Sequence, residues 1–267
     1  MLAYLALYAF FGIIAGLLAG LLGIGGGLVI VPILVYMFNL QGFPAEHIMH
    51  MALGTSLASI MFTSFSSAMS HHKHGAVKWD IVKKVTLGIV LGTWLGSFIA
   101  AKIPTHVLQL IFACFIFYVA SQMILSSKKT LGEKPLPQTL GMNIAGFGIG
   151  ILSSLVGIGG GTISVPFMLY HSVEMRNAIA TSAAIGMPIA ISGCIGYFFN
   201  GSSAANLPEY SFGFIYLPAL FAIVVCSTLV APYGAHLTHT LPVSKIKKFF
   251  AFLLLFVGVR MLVTAVW

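Results

Sequence analysis

The segment that decides the fold is Gly20-Leu-Leu-Gly-Ile-Gly-Gly-Gly-Leu-Val-Ile-Val-Pro32. It recurs as Leu155-Val-Gly-Ile-Gly-Gly-Gly-Thr-Ile-Ser-Val-Pro166. In both copies an apolar run of helical length reaches Gly-Ile-Gly-Gly-Gly, and a short apolar run then ends in Val-Pro. A repeat at this distance indicates one ancestral unit that is used twice.

Both copies predict a break in a helix. Glycine destabilises a helix interior by roughly 1 kcal/mol and proline by about 3, so Pro32 and Pro166 are expected to mark structural breaks together with the glycines. The break lies inside apolar sequence, where unpaired N–H and C=O groups cost several kcal/mol each unless something binds them. Unwound backbone at membrane depth is tolerated where it is buried in protein or lines a cavity. The two glycine runs are therefore candidate sites.

Composition identifies a multi-pass membrane protein. Hydrophobic residues make up 59% of the 267, charged residues 7%, and the mean hydropathy is +1.03. No cation precedes Lys73, so the N-terminal apolar run is expected to remain as a membrane segment. The net charge of +8 comes from cations in short loops, which indicates membrane topology rather than a nucleic-acid partner.

Ten apolar segments follow one another in the same order in each half. They are expected at 4–22, 28–38, 47–70, 81–101, 106–125, 139–156, 162–170, 177–199, 212–235 and 245–266. Residues 1–127 then form a first membrane repeat, 128–138 a polar cytoplasmic linker, and 139–267 a second repeat. The Thr55-Ser56 pair matches Thr181-Ser182, so the duplication extends beyond the glycines.

Charge distribution decides how the halves are oriented. If each glycine-broken pair crosses the bilayer once, the halves are parallel and the thirteen cations divide eight to five. If the pairs are hairpins, the halves are inverted and all cations but Lys102 and Arg260 share one side. The second arrangement fits the positive-inside rule far better. We therefore expect an all-α polytopic protein of two inverted repeats, with eight long helices, two short half-helices in hairpins, cytoplasmic basic loops and both termini outside.

The doubled Gly-Ile-Gly-Gly-Gly…Val-Pro, with a Thr-Ser pair after each copy, resembles the TauE/SafE sulfite exporter family. The resemblance covers both halves. It implies an inner-membrane permease for sulfite, organosulfonates or related sulfur-containing anions. It implies no transport direction.

The glycine runs suit an anion, because unpaired N–H groups at the start of a helix attract negative charge without a buried cation. The alternative is that the glycines only allow close helix packing. The Thr-Ser hydroxyls could face the same cavity or could bond to backbone. The predicted substrate-binding set is Gly23, Gly25, Gly26, Gly27, Thr55, Ser56, Gly157, Gly159, Gly160, Gly161, Thr181 and Ser182.

Other polar residues offer weaker candidates. Arg260 is the clearest charge inside a predicted span, although it could reach the membrane surface near the C-terminus. The cluster His71-His72-Lys73-His74 could bind a metal, but a solvated loop is favoured because a lysine interrupts it. His50 and His171 could titrate in a proton-coupled cycle. Three cysteines without paired spacing and scattered carboxylates predict no metal, no cofactor and no enzyme activity.

These observations predict a secondary transporter of a small sulfur-containing anion that works by alternating access. The expected partners are that anion, protons as a candidate coupling ion, and the lipid bilayer. Two alternatives remain at this point. One is an uncoupled anion facilitator, and the other is a membrane partner subunit with no transport of its own.

Overall fold

A computed structural model describes residues 2–125, 134–240 and 243–266. Within these ranges it has ten helices and one two-stranded sheet. The helices are α1 (Leu2–Leu22), α2 (Gly27–Leu40), α3 (Ile48–Lys73), α4 (Trp79–Lys102), α5 (Thr105–Leu125), α6 (Thr139–Val156), α7 (Gly161–Tyr170), α8 (Met175–Gly201), α9 (Leu217–Thr240) and α10 (Val243–Val266), and the strands are β1 (Ser211–Phe212) and β2 (Ile215–Tyr216). Residues 126–133, which include 128–133 of the expected linker, lie outside the described residues.

The helices break at the glycines and not at the prolines. Gly26 and Gly160 precede α2 and α7 with φ of 82° and 78°, in the left-handed region that favours glycine. Pro32 and Pro166 lie inside α2 and α7, which continue past them. The expected structural break at the prolines is therefore wrong. A proline removes a single backbone donor, and burial against neighbouring helices outweighs that loss.

Each short helix turns back toward the start of the long helix before it. Gln41, directly after α2, donates a hydrogen bond of 2.6 Å from Nε2 to the hydroxyl of Tyr8 in α1. In the second half, the ammonium of Lys134, ahead of α6, lies 5.4 Å from the ring centroid of Tyr170 at the end of α7. The end of each short helix thus lies beside the beginning of its long partner.

Small residues bring helices from different halves into direct contact. Three glycines of α1 lie against successively later residues of α9: Gly12 against Ile223, Gly16 against Ser227, and Gly20 against Ala231. Glycines of α4 lie in the same way against α6: Gly88 against Asn143, and Gly92 against Phe147. Because the residue numbers rise together, α1 runs parallel to α9 and α4 runs parallel to α6.

Hydrogen bonds and close contacts at glycines show the direction of the two central helices, α3 and α8. Contacts of α3 with α9 rise together along both helices: Thr63 with Ser227, Ser66 with Thr228, and Ser70 with Pro232. Contacts of α4 with α8 also rise together: Val90 with Ser192, and Ser97 with Gly196. Contacts of α3 with α8 run in opposite senses: Leu57 with Gly193, and Ser64 with Gly186. Helices α1, α3 and α9 therefore run one way and α4, α6 and α8 the other.

The outer surface is apolar, as a bilayer requires. Among the residues that the structure describes, seven helices are long and apolar enough to cross a membrane: α1, α3, α4, α5, α6, α8 and α9. The remaining long helix, α10, is 24 residues long. Matching positions of α4 and α9 expose rows of large side chains: Leu87, Leu91 and Leu95, with Val225, Leu229 and Tyr233. The chain is an all-α, multi-pass membrane protein.

The ninth helix begins later than the apolar pattern predicts. The sequence placed its start at 212, whereas β1 and β2 form a short antiparallel hairpin first and α9 begins at Leu217. Gly213 has φ of 57°, which fits the tight turn between the two strands. Alternating apolar residues over so short a stretch do not distinguish a strand from a helix start.

Candidate functional site

The two glycine loops, 23–26 and 157–160, meet in the middle of the protein. A methyl group on Gly25 would lie 3.1 Å from Cα of Gly159 and 3.0 Å from a side-chain carbon of Ile60. Ile60 is at the middle of α3, and Gly186, which lies against the Gly159 carbonyl, is near the middle of α8. The loops are buried at half the height of the central helices.

Close packing explains part of the glycine requirement. A side chain at Gly27 would overlap the carbonyl oxygen of Gly157, and one at Gly161 would overlap that of Gly23. Such contacts are relieved only by moving backbone, so each short helix begins at a position where only glycine fits. Gly27 and Gly161 are therefore required for close packing, the alternative that the sequence left open. Any role of these two glycines in binding a ligand is additional to that.

The serines of the two Thr-Ser pairs hold the loops in a crossed arrangement. Ser56 in α3 donates to the carbonyl of Gly157 at 2.8 Å. Ser182 in α8 shares its proton between the carbonyl of Gly23 at 3.0 Å and that of Ile179, in its own turn, at 2.8 Å. Each serine thus binds the loop of the other half. Both side chains are fully buried, so each bond satisfies a carbonyl that water cannot reach.

The threonines of the same pairs contact other backbone groups. Thr55 accepts a hydrogen bond of 3.0 Å from the N–H of Tyr216, directly before α9. Thr181 accepts one of 3.0 Å from the N–H of Lys78, directly before α4. These hydroxyls therefore satisfy N–H groups at the start of two transmembrane helices. The structure brings the glycines and Ser56 and Ser182 together, and it directs both threonines elsewhere.

The loops present donors that the protein does not use. Val29 and Ile30 both donate to the Gly26 carbonyl, and Ile163 and Ser164 both donate to that of Gly160. Among the described residues, no hydrogen bond is donated by the N–H groups of the positions before them: Gly25, Gly26, Gly27, Leu28, Gly159, Gly160, Gly161 and Thr162. Two helix N-termini therefore point unpaired N–H groups at one buried region, an arrangement that suits an anion.

Sequence reasoning missed three hydroxyls beside the second loop. Ser64, Ser153 and Thr162 are at most 5% exposed, and their side-chain oxygens have no hydrogen-bond partner among the described residues. Recurrence in both halves marks the Thr-Ser pairs but not these three residues. The sequence signal for them is a difference between the halves: each is a polar residue at a position where the other half has an apolar residue.

Two cavities lie away from the loops. The larger, of about 930 Å³, is lined by residues of α2, α5 and α10, including Pro32, Gln109 and Arg260. Gln109 donates to the Thr264 hydroxyl at 3.2 Å, one turn beyond Arg260. The smaller, of about 300 Å³, lies between α3, α4 and α8 and is lined by His72 and Trp79. They lie on opposite sides of the loops. His72 is at the end of α3 and Trp79 at the start of α4, whereas Ile48, in the larger cavity, is at the start of α3.

The histidines have ordinary hydrogen-bonded positions. His71 bonds through Nε2 with the Gly20 carbonyl at 3.0 Å, His50 with that of Ile103 at 3.1 Å, and His171 through Nδ1 with that of Phe167 at 2.8 Å. Within the described ranges, no group of three or more His, Cys, Asp or Glu residues could hold a metal ion.

Comparison with known proteins agrees with this architecture. The family model described as "Sulfite exporter TauE/SafE" matches residues 8–261. A probable membrane transporter protein of Haemophilus influenzae is 40% identical over 98% of this chain and 99% of its own. Similarly named proteins of Bacillus subtilis and Methanocaldococcus jannaschii are each 28% identical, over 85% and 86% of this chain and 87% and 84% of theirs.

No solved structure gives a significant match. The family match covers nearly the whole length, including both glycine loops and the helices that hold them. The relatives match over most of their own length as well, and all are named as membrane transporters. The chain belongs to the sulfite exporter TauE/SafE family of membrane transporters.

Proposed function

We propose that the protein is a secondary transporter that moves a small sulfur-containing anion, such as sulfite or an organosulfonate, across the cell inner membrane. The single observation that carries this proposal is the meeting of two helix N-termini with unpaired N–H groups at mid-height. A buried anion can be held there by backbone dipoles alone. The name of the family supports a sulfur-containing anion as the substrate.

We further propose that the two halves are inverted repeats. Helices α1, α3 and α4 correspond in sequence order to α6, α8 and α9, and each runs opposite to its counterpart. The hairpin return of α2 and α7 gives each half an odd number of crossings. In secondary transporters, this symmetry places a substrate site at the interface of the repeats.

The described cations support one orientation in the membrane. Lys73 ends α3, Lys78 precedes α4, and Arg176 begins α8, so these charges share one end of the bundle with Lys83, Lys84 and Lys134. Lys102 and Arg260 lie toward the other end. By the positive-inside rule, the first end is cytoplasmic and both termini are outside.

In an alternating-access cycle, the glycine loops would be exposed first to one side of the membrane and then to the other. The larger cavity reaches from the outer end toward α2, and the smaller one from the cytoplasmic end toward α8, with the buried loops between them. Movement of the hairpins relative to α3 and α8 would open the loops to one side or the other. The two serine contacts, which join loops to helices of the opposite half, couple these movements.

Thermal stabilisation of the purified full chain tests the proposal. The panel contains sulfite, sulfate, thiosulfate, sulfoacetate, phosphate, acetate and chloride. A ligand at 100 times its Kd adds about 2.7 kcal/mol and raises the melting temperature. We expect a rise with sulfite or sulfonates only, and uptake or efflux of the same anion in proteoliposomes.

Other results would contradict it. Movement of the anion down its own electrochemical gradient, without dependence on a pH gradient or a second ion, would indicate an uncoupled facilitator. The absence of any stabilisation and of any transport, together with stable co-purification of a second protein, would indicate a partner subunit.

A further inference from the structure

We infer that the anion is held on one side of the crossing, at the second glycine loop and the start of α7, by hydroxyls that the first loop lacks. This inference rests on the proposed function and specifies its binding site. The two loops share left-handed glycines at both ends, Gly23 with Gly157 and Gly26 with Gly160, although Gly25 is left-handed and its counterpart Gly159 is not. They differ in the side chains around them.

Three hydroxyls surround the second loop. A methyl group on Gly160 would lie 3.5 Å from Oγ of Ser153 in α6. A methyl group on Gly186 would lie 2.5 Å from Oγ of Ser64 in α3 and 3.1 Å from the Gly159 carbonyl, so the absence of a side chain there leaves Ser64 open toward the loop. Thr162 supplies the third hydroxyl, from the first turn of α7 itself.

Eight buried hydroxyls of the described residues have no hydrogen-bond partner, and these three are among them. Ser64 and Ser153 are each 1% exposed and Thr162 is 5% exposed. Their oxygens make no hydrogen bond within the described part of the chain. Leaving a buried hydroxyl unpaired costs about 1–3 kcal/mol. Three such groups around one helix N-terminus with free N–H groups indicate a missing polar ligand.

The corresponding positions at the first loop carry no hydroxyl. In the alignment of the two halves that pairs the glycine runs and the Thr-Ser pairs, Ser64 corresponds to Ala190, Ser153 to Ala19, and Thr162 to Leu28. All three apolar residues are at most 1% exposed. At these three positions the first loop therefore has apolar side chains, and the second loop has hydroxyl groups that can donate hydrogen bonds.

The donor set selects the class of ligand. Hydroxyls and N–H groups donate hydrogen bonds without adding a charge, and several donors from different directions match an anion with several oxygens on one central atom. A sulfite ion or the sulfonate end of a small organic molecule has this form. A monatomic anion offers one centre and uses fewer of the donors.

Removal of the hydroxyls tests the site. The variant Ser64→Ala/Ser153→Ala and the variant Thr162→Val are compared with Ser97→Ala, which removes an equally buried hydroxyl of α4 that bonds to Trp94. Ser97 lies against Gly196, ten residues along α8 from Gly186 and about 15 Å away along the helix. Binding of sodium sulfite and sodium methanesulfonate is measured by the shift in melting temperature of the purified full chain.

We expect the loop variants without anion to melt at or above the temperature of the wild type, because no protein hydrogen bond is lost and unpaired buried hydroxyls are removed. Their Kd for the oxyanions should rise about tenfold for each hydroxyl removed, since the ligand loses a charge-assisted bond. The Ser97→Ala variant should keep the Kd of the wild type.

Two results would overturn the inference, and they are distinguishable. If the wild type is stabilised by the oxyanions and the loop variants bind them equally well, the site is not at these hydroxyls and the proposed transport function stands. If the wild type itself is not stabilised by any anion, the proposed function fails and the inference fails with it.

Discussion

At the scale of single residues, two serines connect the halves of the protein. Ser56 and Ser182 each lie in one half and bind a loop carbonyl of the other, at 2.8 and 3.0 Å. The Gly23 and Gly157 carbonyls belong to buried residues, where leaving a polar group without a partner is costly. Each glycine loop is therefore held by a serine side chain of the opposite half.

Replacing either serine by alanine should destabilise the protein. We expect Ser56→Ala and Ser182→Ala each to lower the free energy of unfolding by about 1–3 kcal/mol, because a buried carbonyl is left unpaired. The measurement is denaturant or thermal unfolding in detergent. Ser202→Ala is the control, since this exposed serine bonds only within its own turn to Phe199. Equal stability of all three variants would show that the crossed bonds contribute nothing.

The sequence predicts the serines but not their partners. Recurrence of Thr-Ser after each glycine run marked both residues, and the structure places both serines at the loops. Neighbouring residues on a helix point about 100° apart, so one residue of each pair must face away from whatever the other contacts. Which one faces the loop depends on α3 and α8 packing against hairpins of the opposite half, and a single sequence contains no information on that rotation.

At the scale of helices and strands, Thr55 and Thr181 accept hydrogen bonds from backbone N–H groups at the starts of α9 and α4. We expect Thr55→Val and Thr181→Val each to lower the free energy of unfolding by about 1 kcal/mol, as for the loss of a capping hydroxyl. The Kd for oxyanions should not change, because both hydroxyls are occupied by the N–H groups of Tyr216 and Lys78. Unfolding and anion-dependent melting on the same samples separate these effects. If the variants bind anions more weakly and unfold as the wild type does, the threonines contact the substrate after all.

The positions of the helices could be predicted well and their ends less well. Glycine clusters in apolar sequence located both breaks, because left-handed backbone is favourable for few other residues. Proline misled the expectation, since Pro32 and Pro166 remain inside α2 and α7. The hairpin of β1 and β2 was missed because two-residue strands leave no periodic pattern.

At the scale of the whole molecule, the helix directions predict which loops face each side of the membrane. Four exposed acidic residues report on this: Glu46 before α3 and Glu209 before α9 at one end, and Glu174 before α8 and Asp80 in the first turn of α4 at the other. Each is replaced by cysteine in a chain whose own cysteines, at 114, 194 and 226, are changed to alanine. We expect a membrane-impermeant thiol reagent added to intact cells to label the cysteines at positions 46 and 209 and not those at 80 and 174.

Parallel halves would give a different result. Helices α3 and α8 would then run in the same direction, and positions 46 and 174 would be labelled from the same side of the membrane. Labelling after the cells are opened is the control, because all four positions must then react. The sequence predicted the inverted arrangement from the distribution of its cations, and this experiment measures it without reference to charge.

The exchange of partners between the halves has a consequence for biosynthesis. Helix α1 packs along α9, and α4 packs along α6, so α1 leaves the ribosome long before the helix it lies against. Until α9 arrives, the glycine face of α1 has only lipid or an assisting factor to cover it. Neither half can complete its own packing, and a stalled or truncated chain should be a substrate for membrane quality-control proteases rather than a stable half-transporter.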